Sequence, residues 1–136
     1  MNFKSLFNKK NINTSKSFVI AEIGHNHKGS VEIAKKLFLS AKDCGADAVK
    51  LQKRDNKELY TSEFYNQPYQ SENSYGTTYG KHRDYLEFGK KEYKELMKYA
   101  KKINIEFLCT PFDFNSIKFL EDLNIKAYKI ASADLI

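Results

Sequence analysis

The chain has 136 residues, 41% of them apolar and 29% charged, which is enough for one hydrophobic core and excludes a disordered chain. No apolar run approaches the ~20 residues of a membrane span, and the opening MNFKSLFNKKNINTSKS lacks the apolar stretch of a secretory signal. Cys44 and Cys109 are too few for a disulfide scaffold and too far apart for a CxxC metal site, so a reduced, cytoplasmic chain is expected.

The net charge of +6 is mostly a tail. Residues 1–17 hold Lys4, Lys9, Lys10 and Lys16 and no acid, leaving 19 basic against 17 acidic residues in the rest. Only two of the 23 basic residues, Arg54 and Arg83, are arginine. Clustered arginine with groove-reading elements marks nucleic-acid binders, and its absence argues against that class.

In chain order, Phe18 to Ala21 reads as a buried strand ending in Glu22 and Gly24. Ser30 caps a helix with Val31, Ile33, Ala34, Leu37, Phe38, Ala41 and Cys44 at helical spacing, and Gly45 stops it. Strand two is Ala48–Gln52. The segment from Lys53 to about Glu87 reads as a long loop, which carries six of the nine tyrosines. A helix follows with Tyr93, Leu96, Met97, Ala100 and Ile103 on one face and Asn104 as its stop. Ile105–Thr110 is strand three, closed by Pro111. Asp113 or Asn115 then caps a helix with the face Ile117, Leu120 and Leu123, stopped at Asn124. Ala127–Ala131 is expected as strand four. Alternating strands and helices of this kind build a parallel α/β sheet.

In such sheets the site lies at the C-terminal strand ends. Those ends carry Glu22, Lys50 with Gln52, Thr110, and Lys129 with Ser132. Lys50 and Gln52, two apart, share one strand face. Two lysines on one rim suit a phosphate or carboxylate, and Ser132 adds neutral donors. Glu22 can take sugar hydroxyls, act as acid or base, or simply pair with Lys50 inside the sheet. A Schiff base on Lys129 is a further option. His25 and His27 can serve a metal or orient their loop by hydrogen bonding. Cys109 reads as a small core residue and the Lys90-Lys91 and Lys101-Lys102 pairs as solvated helix faces. The loop tyrosines can stack on a ligand or pack against another surface.

Five stretches in order, FVIAEIGHNHKGS, GADAVKLQK, SYGTTYGKHRDYLEFGKKEY, FLCTPFD and AYKIASADL, resemble the N-terminal part of the sialic acid synthase family, the N-acetylneuraminate, legionaminic acid and pseudaminic acid synthases. YGTTYGKHR is most similar to the branch with the sialic acid 9-phosphate and legionaminic acid enzymes. The resemblance implies a TIM barrel, present here from residue 18 as a half-barrel of about four parallel strands behind the basic tail of residues 1–17. It implies condensation of phosphoenolpyruvate with an N-acyl amino sugar of the N-acetylmannosamine type, releasing phosphate in surface-carbohydrate biosynthesis. Lys50, Lys129 and Ser132 would bind phosphoenolpyruvate, Glu22 and Gln52 would hold the sugar, and Asp134 would handle protons; Glu22, Lys50 and Asp134 are the catalytic candidates. A divalent metal, Mn²⁺ or Mg²⁺, and a homodimer are also implied. The metal ligands, the later phosphate-binding residues and the antifreeze-like domain are expected outside residues 1–136, so that the chain alone is expected to be inactive. A non-catalytic half-barrel needing a partner chain is the alternative from another class. Ala133 stands where the family carries glycine, so a turn requiring positive φ there would be strained.

Overall fold

The computed structural model describes residues 17–135; the basic tail lies outside them apart from Ser17. Three parallel strands, β1 (Ile20–Gly24), β2 (Ala48–Lys53) and β3 (Glu106–Pro111), lie side by side in the order β1-β2-β3. Helix α1 (Val31–Asp43) connects the first two strands. Between β2 and β3 run α2 (Asn56–Leu59), α3 (Ser62–Asn66), α4 (Tyr79–Leu86) and α5 (Lys90–Lys102), and α6 (Phe114–Asp122) follows β3.

The strand pleat sends alternate residues to opposite faces. Ile23, Val49, Leu51 and Cys109 go to the helix side, where they are buried against Ala34 and Phe38 of α1, Tyr93, Leu96 and Ala100 of α5, and Leu120 of α6. These helix positions recur at three- and four-residue intervals, giving each helix one apolar face. The other sheet face carries Glu22, Lys50, Gln52 and Thr110, with Glu22 beside Lys50 and Gln52 beside Thr110 in register.

The expected stops and starts are formed by the residues that chemistry singles out. Ser30 Oγ accepts the Ile33 N–H at 3.3 Å. Gly45 has φ +84°, and Asn104 and Asn124 both take φ +56°, the left-handed geometry that asparagine tolerates better than most residues. Asp113, rather than Asn115, caps α6: its carboxylate accepts the Ser116 N–H at 2.6 Å, the Ser116 hydroxyl at 2.7 Å and the Asp55 N–H at 2.8 Å.

Two expectations are corrected. The fourth strand is not formed, and the sheet has three strands rather than about four. Residues 127–131 contribute one parallel bridge, Cys109 with Tyr128, and the Lys129 N–H donates to the Cys109 carbonyl at 3.0 Å. Tyr128 and Ile130 remain exposed, and among the described residues nothing pairs with the outer edge, so a full ladder would order backbone with little burial in return. The long loop is the second correction. It contains α2, α3 and α4, each started by a side-chain cap from Asp55, Thr61 or Thr78. An aromatic cluster of Tyr60, Phe64, Tyr69 and Tyr79, with ring centroids 4.7–5.5 Å apart, holds these pieces together. A Cβ at Gly80 would collide with the Tyr65 ring, so this close approach requires glycine.

Asp113→Ala removes the α6 cap and the tie to Asp55 together. The expected loss is ~1–2 kcal/mol in urea unfolding, larger than for an exposed aspartate such as Asp43→Ala.

Candidate functional site

Lys50 is the centre of the rim. Its side chain is buried, and its ammonium donates to Thr110 Oγ1 at 2.8 Å and forms an ion pair with the Glu22 carboxylate. An ammonium has three N–H donors, and these partners account for two. The Glu22 side chain is 49% exposed against 8% for Lys50, so the cation is fixed from below while the carboxylate faces outward.

Gly24 ends β1 with φ +55°, at a register shift in the β1–β2 ladder between Glu22 and Gly24. A Cβ placed on Gly24 would lie 3.4 Å from Glu22 Oε1 and 3.8 Å from Gln52 Nε2. Glu22 and Gln52 therefore flank the same point of bare backbone beside Lys50. Thr110 pairs with Gln52 across the sheet, and Lys129 is anchored one residue before it, on the Cys109 carbonyl.

Ser132 and Asp134 make no hydrogen bond to that group. They lie in an exposed 3₁₀ turn, Ser132–Asp134, whose backbone bonds run from Asp134 N–H to Ala131 and from Leu135 N–H to Ser132. Ala133 does not adopt positive φ in this turn, so alanine there is unstrained.

The outer wall of the rim centres on Glu87, which was not recognised as a functional position from sequence. This buried carboxylate accepts from Lys53 Nζ at 2.9 Å, His25 Nε2 at 3.1 Å and the Arg54 N–H at 3.2 Å. Burial alone would raise its pKa; the His25 hydrogen bond and the Lys53 charge outweigh that and hold it below the ordinary value. The available signal was an acid set between two apolar residues, Leu86 and Phe88, immediately before a helix start. Arg83 donates to His25 Nδ1 at 3.1 Å, and because a guanidinium only donates, the His25 proton sits on Nε2 toward Glu87.

The histidines orient the loop. His27 is buried, stacks on Phe88 at 4.1 Å, and its Nδ1 accepts the Gly29 N–H at 3.1 Å. Burial pushes its pKa down to about 4. Among the described residues no group of three or more His, Cys, Asp or Glu is placed to hold a metal ion, so the residues present do not fit a divalent cation. Cys109 is buried beside the Tyr93 hydroxyl, and burial pushes its thiol up to about 12, which suits a core residue. Lys90 pairs with Asp122 at 2.6 Å, and no described helix is long and apolar enough to cross a membrane.

A family profile for the NeuB family matches residues 37–136. The chain belongs to the NeuB family. It is 42% identical over 117 residues to the mouse N-acetylneuraminate-9-phosphate synthase, and 40% identical over 125 residues to the N,N'-diacetyllegionaminic acid synthase of Campylobacter jejuni. These matches cover 86% and 88% of this chain but 33% and 36% of those proteins, so the chain spans about a third of its relatives' length. The crystal structure of N-acetylneuraminic acid synthetase from Leptospira borgpetersenii, in complex with citrate, superposes with a TM-score of 0.68 at 32% identity, covering 87% of this chain and 37% of that one. The chain thus shares the α/β fold of the matching part of that synthetase, with Lys50 at the centre of its polar strand ends.

The His27 environment predicts acid sensitivity. The neutral imidazole is preferred in the fold, so the unfolded chain takes up the proton first as pH falls. Stability is full above pH ~6.5 and declines toward pH ~4, by up to ~3 kcal/mol. Urea midpoints at pH 7 and pH 4.5 should show this decline, and His27→Gln should flatten it. Loss from Glu87 protonation belongs to more acid pH, because its pKa is depressed.

Proposed function

We propose that these strand ends belong to a synthase that condenses phosphoenolpyruvate with the open-chain aldehyde of an N-acyl amino sugar, giving a nonulosonic acid and phosphate. The observation that carries this reading is the Lys50 ammonium, buried, held by Glu22 and Thr110, and left with one uncommitted donor at the rim. Family membership and relatives whose names describe such acids support it.

In this reading the enol pair of phosphoenolpyruvate forms the new carbon–carbon bond from C3 to the aldehyde carbon. The aldehyde oxygen takes a proton, and C2 becomes electron-deficient. Water adds to C2 and loses a proton to leave a C2 hydroxyl; the bond from C2 to the phosphate oxygen then breaks, its electrons leaving with phosphate, and the hydroxyl gives up its proton as C2 becomes the ketone. Lys50 directs its remaining N–H at the anionic reactant, with Lys129 and the Ser132 hydroxyl as further donors. Holding charge on a fixed ammonium avoids reorganising water during the reaction. Glu22 accepts from sugar hydroxyls, and the Gln52 amide matches the sugar's acylamino group. Asp134 is the candidate that takes or delivers the proton. The divalent metal implied by family resemblance finds no ligand cluster among the described residues, and no step is assigned to it.

Lys50→Met keeps the buried volume and removes the charge. It should weaken phosphoenolpyruvate binding by the full chain at least tenfold, measured by calorimetry, with the circular dichroism spectrum retained. Glu22→Gln and Gln52→Ala should leave that affinity within about threefold and weaken the amino sugar. Unchanged phosphoenolpyruvate affinity in Lys50→Met would remove the basis of this reading.

A further inference from the structure

Tyr93 is 1% exposed, and its ring is held edge-on by Phe107 and Phe119, with centroids 6.0 and 5.2 Å away. It brings a hydroxyl into the helix-side core, where a polar atom is costly without partners. It has two. Tyr93 Oη lies 3.1 Å from the Gln52 carbonyl oxygen and 3.4 Å from Cys109 Sγ.

Valence fixes the direction of both contacts. A carbonyl oxygen only accepts, so the hydroxyl proton points at Gln52 and the phenol oxygen is left to accept the Cys109 S–H. Burial keeps both groups protonated: it raises the Tyr93 pKa well above the ordinary value and pushes the Cys109 thiol up to about 12. The line from Cys109 Sγ–H through Tyr93 Oη–H to the Gln52 carbonyl therefore runs from β3 through α5 to β2. It arrives where the sheet's own bonding stops. Pairing of β1 with β2 ends with Gly24 opposite Leu51, and the chain then bends back, Asn26 N–H donating to the Ile23 carbonyl at 3.0 Å. Gln52 lies one residue beyond that last pair, and Tyr93 supplies its carbonyl with a donor from the helix layer.

We propose that Tyr93 is a positioning residue for the rim: oriented by Cys109, it fixes the Gln52 backbone and, through it, the direction of the Gln52 amide. That amide lies on the polar face beside bare Gly24 backbone, 3.8 Å from where a Cβ would stand. Buried under the sheet, Tyr93 and Cys109 act without touching a reactant. The consequence for an amino sugar rests on the condensation proposed above; the placement of Gln52 does not.

Tyr93→Phe removes the hydroxyl and keeps the ring in its aromatic seat, so the circular dichroism spectrum of the full chain should be retained. By ¹⁵N relaxation, the Gln52 side-chain amide should be ordered in the unsubstituted chain and clearly more mobile in Tyr93→Phe. The Asn56 amide, bonded to Asp84 at 2.8 Å, is the internal control and should not change. Calorimetry with N-acetylmannosamine should show about fivefold weaker binding, with phosphoenolpyruvate affinity within about twofold. Cys109→Ser keeps a donor in place and should resemble the unsubstituted chain, whereas Cys109→Ala should move Gln52 in the direction of Tyr93→Phe. Unchanged Gln52 order in Tyr93→Phe overturns the inference. Equal loosening of Asn56, or an equal loss of phosphoenolpyruvate affinity, marks a general loss of packing and overturns it too. Gln52 order lost with sugar affinity kept overturns the link to the sugar, and like behaviour of the two Cys109 variants overturns the part given to the thiol. Should Tyr93→Phe not fold, the Cys109 pair carries the test. A mobile Gln52 in Tyr93→Phe, beside an unsubstituted chain that binds no amino sugar, would sustain the positioning role while the condensation reading fell.

Discussion

A buried ammonium on the middle strand of a parallel sheet has to be answered by its two neighbours. Lys50 is answered by Glu22 from β1 and Thr110 from β3. That requirement constrains the sheet register, because sliding β2 by one residue would send Lys50 into the helix-side core and Val49 or Leu51 onto the polar face. The cost of an unmatched buried charge is several kcal/mol, comparable with the whole stability of a small domain. Strand order, strand register and the position of the rim are therefore tied to one side chain.

Around this centre the polar contacts form a second ring. Glu87 binds Lys53 at the end of β2, His25 after β1 and the Arg54 backbone, so the end of the long insertion is fastened to two strand ends by one carboxylate. The insertion is ordered locally by side-chain caps and aromatic contacts and globally by Glu87. The loop that follows β1 is packed by His27 against Phe88, the residue next to Glu87, so the same short segment serves both loops.

What could be read in the sequence followed from how local each signal is. Ser30, Gly45, Asn104, Asn124 and Asp113 act within a few residues of their own position, and each does what its chemistry indicates. Lys50 and Gln52 share a face because the strand period is two. Glu87 and Arg83 escaped because their partners lie 33, 34 and 58–62 residues away, and only folding reveals which distant groups they meet. The short helices of the insertion escaped for another reason: their faces are polar or tyrosine-rich, so periodicity in apolar residues is too weak to mark them. Strand four is not formed because a mostly apolar run at 127–131 signals the capacity to pair and not the presence of a neighbour. For the site residues, Glu22, Lys50, Gln52 and Thr110 come together as their strand ends indicated, whereas Ser132 and Asp134 lie in an exposed 3₁₀ turn.

The parallel arrangement also governs when the rim comes into being. The Lys50–Thr110 bond closes a span of 60 residues and the Glu22–Lys50 pair one of 28, while every helix cap closes within three or four. Loop closure over such spans is entropically slow, so helices and turns form on short timescales and the strand ends meet last. A half-folded chain presents its lysines separately, each solvated, with no preorganised set of donors. Anion recognition is in that sense a property of the completed topology and serves as a reporter of the final folding event.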